Sequence, residues 1–130
     1  NTQIVNIMNK GKELSSKPDQ LLFKEGDSSV AMYFLLRGRV EVHGKLGFLA
    51  TIPENGLFGE MGVVTNTPRS ATVISKSAAT VLALTRESFL ELINSDKEFA
   101  YLFYKNLVDV LIGKLRKNNE ATEFSKLLNE

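Results

Sequence analysis

A chain of 130 residues, 43% of them hydrophobic and 24% charged, is sized for one domain that buries about two thirds of its unfolded surface. Sixteen basic against fifteen acidic residues leave a net charge of +1, so no electrostatic excess draws this segment to nucleic acid or to an anionic bilayer. With no cysteine and a single histidine, His43, there is no disulfide framework, no thiolate metal site, no cupin-type cluster of histidines and no Cys–His or Ser–His–Asp set.

In chain order, Ile4, Val5, Ile7 and Met8 recur at mixed helical spacing over residues 2–14, with Gly11 as a stop, and 15–20 is a turn-rich connector. From 20 to 85 the period shortens. Strand-like runs at 21–23, 32–36, 39–43, 48–52, 71–75 and 80–84 are punctuated by Gly26, Gly38, Gly44, Gly47 and the group Pro53-Glu54-Asn55-Gly56. Many short strands with frequent turns predict a sandwich, jelly roll or small barrel.

Inside that region, 56–73 is the segment with chemistry in it. Gly59 and Gly62 permit positive φ and close backbone approach, and Met61, Val63 and Val64 suit one short helical turn whose free N–H groups favour an anion. Pro68 ends that turn and pushes Thr67 toward an extended conformation, so that Arg69 opens a strand with Ser70, Ala71 and Thr72 behind it. A guanidinium there can fork onto two phosphate oxygens. Glu60 lies nine residues before Arg69, and as an ionised acceptor it suits a hydroxyl such as a ribose 2′-OH rather than a phosphate. Taken alone, the two residues read equally well as a surface ion pair closing a loop.

After 85 the period becomes helical. Thr85 fits an N-cap ahead of Phe89, Leu90, Leu92 and Ile93, and 94–96 breaks this helix and caps the next. Phe99, Leu102, Phe103, Leu107, Val110, Leu111 and Leu115 then form an apolar stripe broader than packing on one sheet needs. A second copy of the chain is its expected partner, with core packing alone as the other reading. Gly113 suggests a kink or a close helix approach. Phe124, Leu127 and Leu128 fit a short detached turn or lid. No apolar run approaches the ~18–20 residues of a membrane span and no signal-peptide core appears, so a cytoplasmic location is expected.

The string Phe58-Gly59-Glu60-Met61-Gly62-Val63 followed by Pro68-Arg69-Ser70-Ala71-Thr72 resembles the phosphate-binding cassette of the cyclic-nucleotide-binding domain family. The sensor domains of catabolite-activator proteins and of protein kinase A regulatory subunits are of this type. Residues 22–27 and 32–42 resemble the family's second glycine signature, and the likeness covers about 17–118. It implies a mainly β domain over 1–130: a β-roll (jelly-roll-like antiparallel barrel) at 20–85 carrying the cassette at 58–72, an N-terminal helical segment at 1–19 and two C-terminal helices within 86–130. It also implies a cAMP or cGMP ligand held by Phe58, Gly59, Glu60, Met61, Gly62, Val63, Arg69, Ser70, Ala71 and Thr72. No metal and no catalysis are implied. The final helix would lid the purine, with Lys114, Leu115, Asn118 and Phe124 as capping candidates, and would form a homodimer. Threonine after the arginine accompanies cGMP in the family, so Ser70 leans toward cAMP.

Two function classes follow: a ligand-operated sensor, and a degenerate, ligand-free β-roll kept for dimerisation or docking. Retention of both Glu60 and Arg69 favours the first. Residues 119–130 are too few for a helix-turn-helix after the last helix, and the chain opens on Asn1 rather than methionine. A stand-alone sensor, or a piece of a transcription factor, kinase, channel or transporter, is therefore expected.

Overall fold

The computed structural model describes residues 9–117. Two four-stranded antiparallel sheets dominate them. One runs β1 (Lys12–Ser16), β8 (Ala79–Thr85), β3 (Ala31–Arg37), β6 (Leu57–Phe58) across its width. The other runs β2 (Leu21–Phe23), β7 (Thr72–Ser75), β4 (Val40–Gly44), β5 (Gly47–Ile52). Every strand pair is antiparallel. Among the described residues, three helices follow strands β6 to β8: α1 (Glu60–Thr65) between β6 and β7, then α2 (Arg86–Ser95) and α3 (Lys97–Lys117).

The strands bury what their pairing dictates. β7 alternates half-buried Thr72 and Ile74 with buried Val73 and Ser75, as a strand with one face on the core does. β8 is buried almost end to end, because it lies between β1 and β3. Leu35, Phe58, Ala79 and Val81 of one sheet meet Val40 and Val73 of the other in a single apolar cluster, with Phe23, Tyr33 and Val42 packed against it. Burying a side chain of this size contributes about 1.5–3 kcal/mol, which makes this cluster the main reason the sheets hold together.

Three sequence expectations need correction. The helical reading of 2–14 ran too far: Asn9 and Lys10 are helical, Gly11 is a bend, and β1 starts at Lys12, while 1–8 lie outside the described residues. β1 shows no apolar alternation, with only Ser16 buried, so its strand form comes from a backbone ladder to β8 and not from a pattern of its own. β6 was likewise absent from the sequence reading. It is two residues long, and it exists because Tyr33 and Phe34 of β3 offer partners to Phe58 and Leu57. Third, no heavy atom lies within 4 Å of a β-carbon built on Gly113, so a close helix approach is not its reason among the described residues.

The chain forms two compact units, 1–91 and 92–130. In the second, Asp96 caps α3 by accepting the Phe99 N–H at 3.0 Å. Phe99 and Phe103 lie 5.9 Å apart between centroids with their rings tilted by 32°, and Phe103 meets Tyr104 edge-on at 5.6 Å. Of the expected stripe, Phe103, Leu107 and Leu111 are half-buried and Val110 is 51% exposed. Tyr101 and Val108 are exposed as well. Phe124, Leu127 and Leu128 lie outside the described residues. No described helix is long and apolar enough to cross a membrane.

Candidate functional site

The segment from Phe58 to Thr72 is held by the turn that joins β2 to β3. The Gly26 N–H donates to the Arg69 carbonyl at 2.9 Å, and the Arg69 N–H donates to the Asp27 carbonyl at 2.8 Å. Nearby, the Glu25 N–H donates to Thr72 Oγ1 at 3.1 Å, and Ser29 Oγ donates to the Thr67 carbonyl at 2.6 Å. Arg69 therefore does not open a strand as the sequence suggested. β7 begins at Thr72, and the Arg69 backbone is spent on the 26–27 turn.

The side chain of Arg69 is 5% exposed. Nη1 donates to the Gly59 carbonyl at 2.7 Å and Nη2 donates to the Ala31 carbonyl. Its central carbon sits 4.0 Å above the Phe23 ring and 5.8 Å from that of Tyr33. Nε has no hydrogen-bond partner. Burial lowers the pKa of this guanidinium, and Tyr33, Asp27 and Glu60 pull it partly back up. Arginine nevertheless stays charged at any pH at which a protein folds. The result is a buried cation with part of its donor set unused, over an aromatic floor where Phe23, Tyr33 and Phe58 lie within 5.3 to 6.3 Å of one another.

Gly59 explains the turn. Its φ is +74°, and a β-carbon there would stand 2.7 Å from Arg69 Nη1, so both the conformation and the space require glycine. It also caps α1, whose first residue is Glu60. The Glu60 side chain is 9% exposed, and among the described residues it has no hydrogen-bond or ion-pair partner. The loop-closing ion pair with Arg69 is thus not formed: the arginine is bonded to carbonyls. At six residues α1 sums few peptide dipoles, so its N-terminus can offer an anion less than the full charge of Arg69 can.

The remaining expected residues separate by burial. Phe58 and Val63 are buried in the core, Gly62 is half-buried against Ser29, and Ala71 and Thr72 are half-buried. Met61 and Ser70 are exposed. Sequence reasoning missed Ser29, Phe23, Tyr33 and Arg86. The last donates Nε–H to the Val63 carbonyl at 3.2 Å from the first position of α2, and its own N–H bonds the Val30 carbonyl at 2.9 Å. Among the proposed purine caps, Asn118 and Phe124 lie outside the described residues, as do the side chains of Lys114 and Leu115. His43 is half-buried, with Nε2 3.1 Å from Glu41 Oε1 and its ring edge-on to Phe48. Among the described residues no group of three or more His, Asp or Glu is placed to hold a metal.

Comparison with known proteins places this arrangement. The family profile described as "Cyclic nucleotide-binding domain" matches residues 13–96. Mouse Rap guanine nucleotide exchange factor 3 is 39% identical over 64 residues, which are 48% of this chain and 7% of that protein. The cAMP-dependent protein kinase regulatory subunit of Yarrowia lipolytica is 32% identical over 79 residues, 59% of this chain and 21% of that one. The chain thus spans a small fraction of these relatives. The crystal structure of the Thermus thermophilus catabolite activator protein superposes with a TM-score of 0.78 at 25% identity, covering 96% of this chain and 59% of the other.

Proposed function

The chain belongs to the cyclic nucleotide-binding domain family, and on that premise we propose that it is a sensor that binds cAMP, in preference to cGMP, at Glu60 and Arg69 and passes the binding on to its C-terminal helices or an attached effector. The observation that carries this reading is the pair of buried, incompletely partnered charges. Among the described residues Arg69 Nε is the buried polar atom without a partner, a deficit that costs about 1–3 kcal/mol, and a ligand bearing a phosphate and a ribose hydroxyl would offer partners to both side chains. The unused N–H groups of Arg69 take the cyclic phosphate, and the Glu60 carboxylate takes the 2′-OH. Glycine at 59 and 62 lets the backbone come close to the ligand.

Ser70, exposed beside the arginine, is not the threonine that accompanies cGMP in the family, which supports cAMP. For the output, Arg86 is the link: it joins the Val63 carbonyl of α1 to the first residue of α2. A shift of α1 on binding then changes what Arg86 holds. Signalling requires that the nucleotide bind one arrangement better than the other. No chemical step is assigned to the site, and the domain acts in the cytoplasm.

The same proposal includes a homodimer through α3, supported by exposed Tyr101, Val108 and Val110. In Val110→Glu/Leu111→Glu the pair would bury like charges at that contact, so a folded monomer is expected by sedimentation. A wild-type chain that is monomeric at high concentration refutes the dimer.

Calorimetric titration of the chain with cAMP and with cGMP tests the sensor. A dissociation constant on the order of micromolar, about 8 kcal/mol, is expected for cAMP. Absence of heat and of any melting shift with either nucleotide at millimolar concentration refutes the sensor reading and leaves the ligand-free module.

A further inference from the structure

Ser29 lies outside the cassette in sequence yet, half-buried, packs against it. A β-carbon built on Gly62 would fall 1.9 Å from Ser29 Oγ, 2.6 Å from Ser29 Cβ and 2.9 Å from the Thr67 carbonyl oxygen. The space that an alanine methyl would fill at 62 is already taken by the serine hydroxyl. That hydroxyl is also engaged, donating to the Thr67 carbonyl at 2.6 Å. Thr67 in turn donates its N–H to the Gly62 carbonyl at 3.0 Å. The segment between α1 and Arg69 is thereby closed on itself and bolted to the β2–β3 turn, whose Gly26 and Asp27 hold the Arg69 backbone.

We infer that Ser29 is a positioning residue of the nucleotide site: its hydroxyl sets the path of the chain from Glu60 to Arg69, and it is the reason this chain carries glycine rather than alanine at 62. This rests on the reading of the site as a cyclic-nucleotide pocket. Ser29 touches no ligand. It fixes the distance between the two groups that do, so its loss weakens every cyclic nucleotide alike and leaves discrimination at the ribose unchanged.

The test is a double-mutant cycle on the full chain, read by nucleotide affinity and by melting temperature. Ser29→Ala removes one hydrogen bond, so about a three- to tenfold loss of affinity is expected, equal for cAMP and 2′-deoxy-cAMP. Gly62→Ala forces Ser29 aside and is expected to cost more than Ser29→Ala in both readouts. Ser29→Gly is the matching single variant of the cycle, and the double variant Ser29→Gly/Gly62→Ala gives the methyl the space that the serine side chain held, so it should bind and melt closer to wild type than Gly62→Ala does. Unchanged affinity in Ser29→Ala, a loss confined to one of the two nucleotides, or strictly additive effects in the cycle would overturn the inference. If Gly62→Ala fails to fold, a folded double variant supports the pairing and an unfolded one refutes it. If the wild type binds no cyclic nucleotide, the sensor reading has failed. The dependence of residue 62 on Ser29 is then decided by the melting temperatures alone, with rescue in its favour and additivity against it.

Discussion

Two buried glutamates in the same β-roll are treated in opposite ways. Glu41, on β4, is 7% exposed and fully engaged: Arg39 Nη2 donates to it at 2.9 Å and His43 Nε2 lies 3.1 Å away. Glu60, at the start of α1, is 9% exposed and has no hydrogen-bond or ion-pair partner among the described residues, only a longer-range attraction to Arg69, which is bonded to carbonyls with Nε idle. A chain that folds for stability alone pairs its buried charges, as it does at Glu41. On the proposed reading, the Glu60 carboxylate and Arg69 Nε keep a place for a ligand that brings a partner to each. The apolar side chains point the same way. Phe48 is left exposed against His43, the neighbour of the settled glutamate, whereas Phe23 and Tyr33, packed with Phe58, lie under the unsettled arginine.

The largest expected effect breaks the unsettled half. Arg69→Ala should cut cAMP affinity by about 10- to 150-fold, the worth of a charge-assisted contact of about 1.5–3 kcal/mol, with cGMP affected equally. Titration calorimetry below the melting point reads it. Next comes the settled half: Glu41→Gln should cost about 1–3 kcal/mol of stability, several degrees of melting temperature, and change cAMP affinity by less than about twofold. Loss of binding with no loss of stability there would erase the contrast. The smallest effect is a flat line. Burial lowers the Arg69 pKa, and a lowered pKa in a cation means that its charge opposes folding until pH rises past the folded value. For arginine that point lies beyond any pH at which the chain folds, so affinity measured from about pH 6 to about pH 9 should not change. A step within that range would contradict this.

The cassette was legible in the sequence because its constraints are local: glycines where the backbone must turn, a proline that ends the turn, and two charges at fixed spacing. The strands of the β-roll were legible where β-branched and small side chains run between turn signals, as on β7, and the caps Thr85 and Asp96 accept the Ser88 and Phe99 N–H groups as their types suggest. What escaped is tertiary. β1 is a strand only because β8 pairs with it, and β6 only because β3 does. The inward course of the Arg69 side chain, its ring floor and the Ser29 bolt each join segments about 30 residues or more apart, and no period or propensity records such a meeting.

The central claim is that Glu60 is left without a partner for the sake of a ribose hydroxyl. The ratio of dissociation constants for 2′-deoxy-cAMP and cAMP, measured by calorimetry on the wild type and on Glu60→Gln, tests this directly. A neutral amide is a weaker acceptor for the 2′-OH, so the wild type should prefer cAMP by about 5- to 30-fold, on the order of 1–2 kcal/mol, and Glu60→Gln should lose most of that preference by weakening cAMP alone. If the substitution weakens both ligands by the same factor, or if the wild type does not distinguish them, the carboxylate does not read the ribose and the contrast between the two glutamates has another cause.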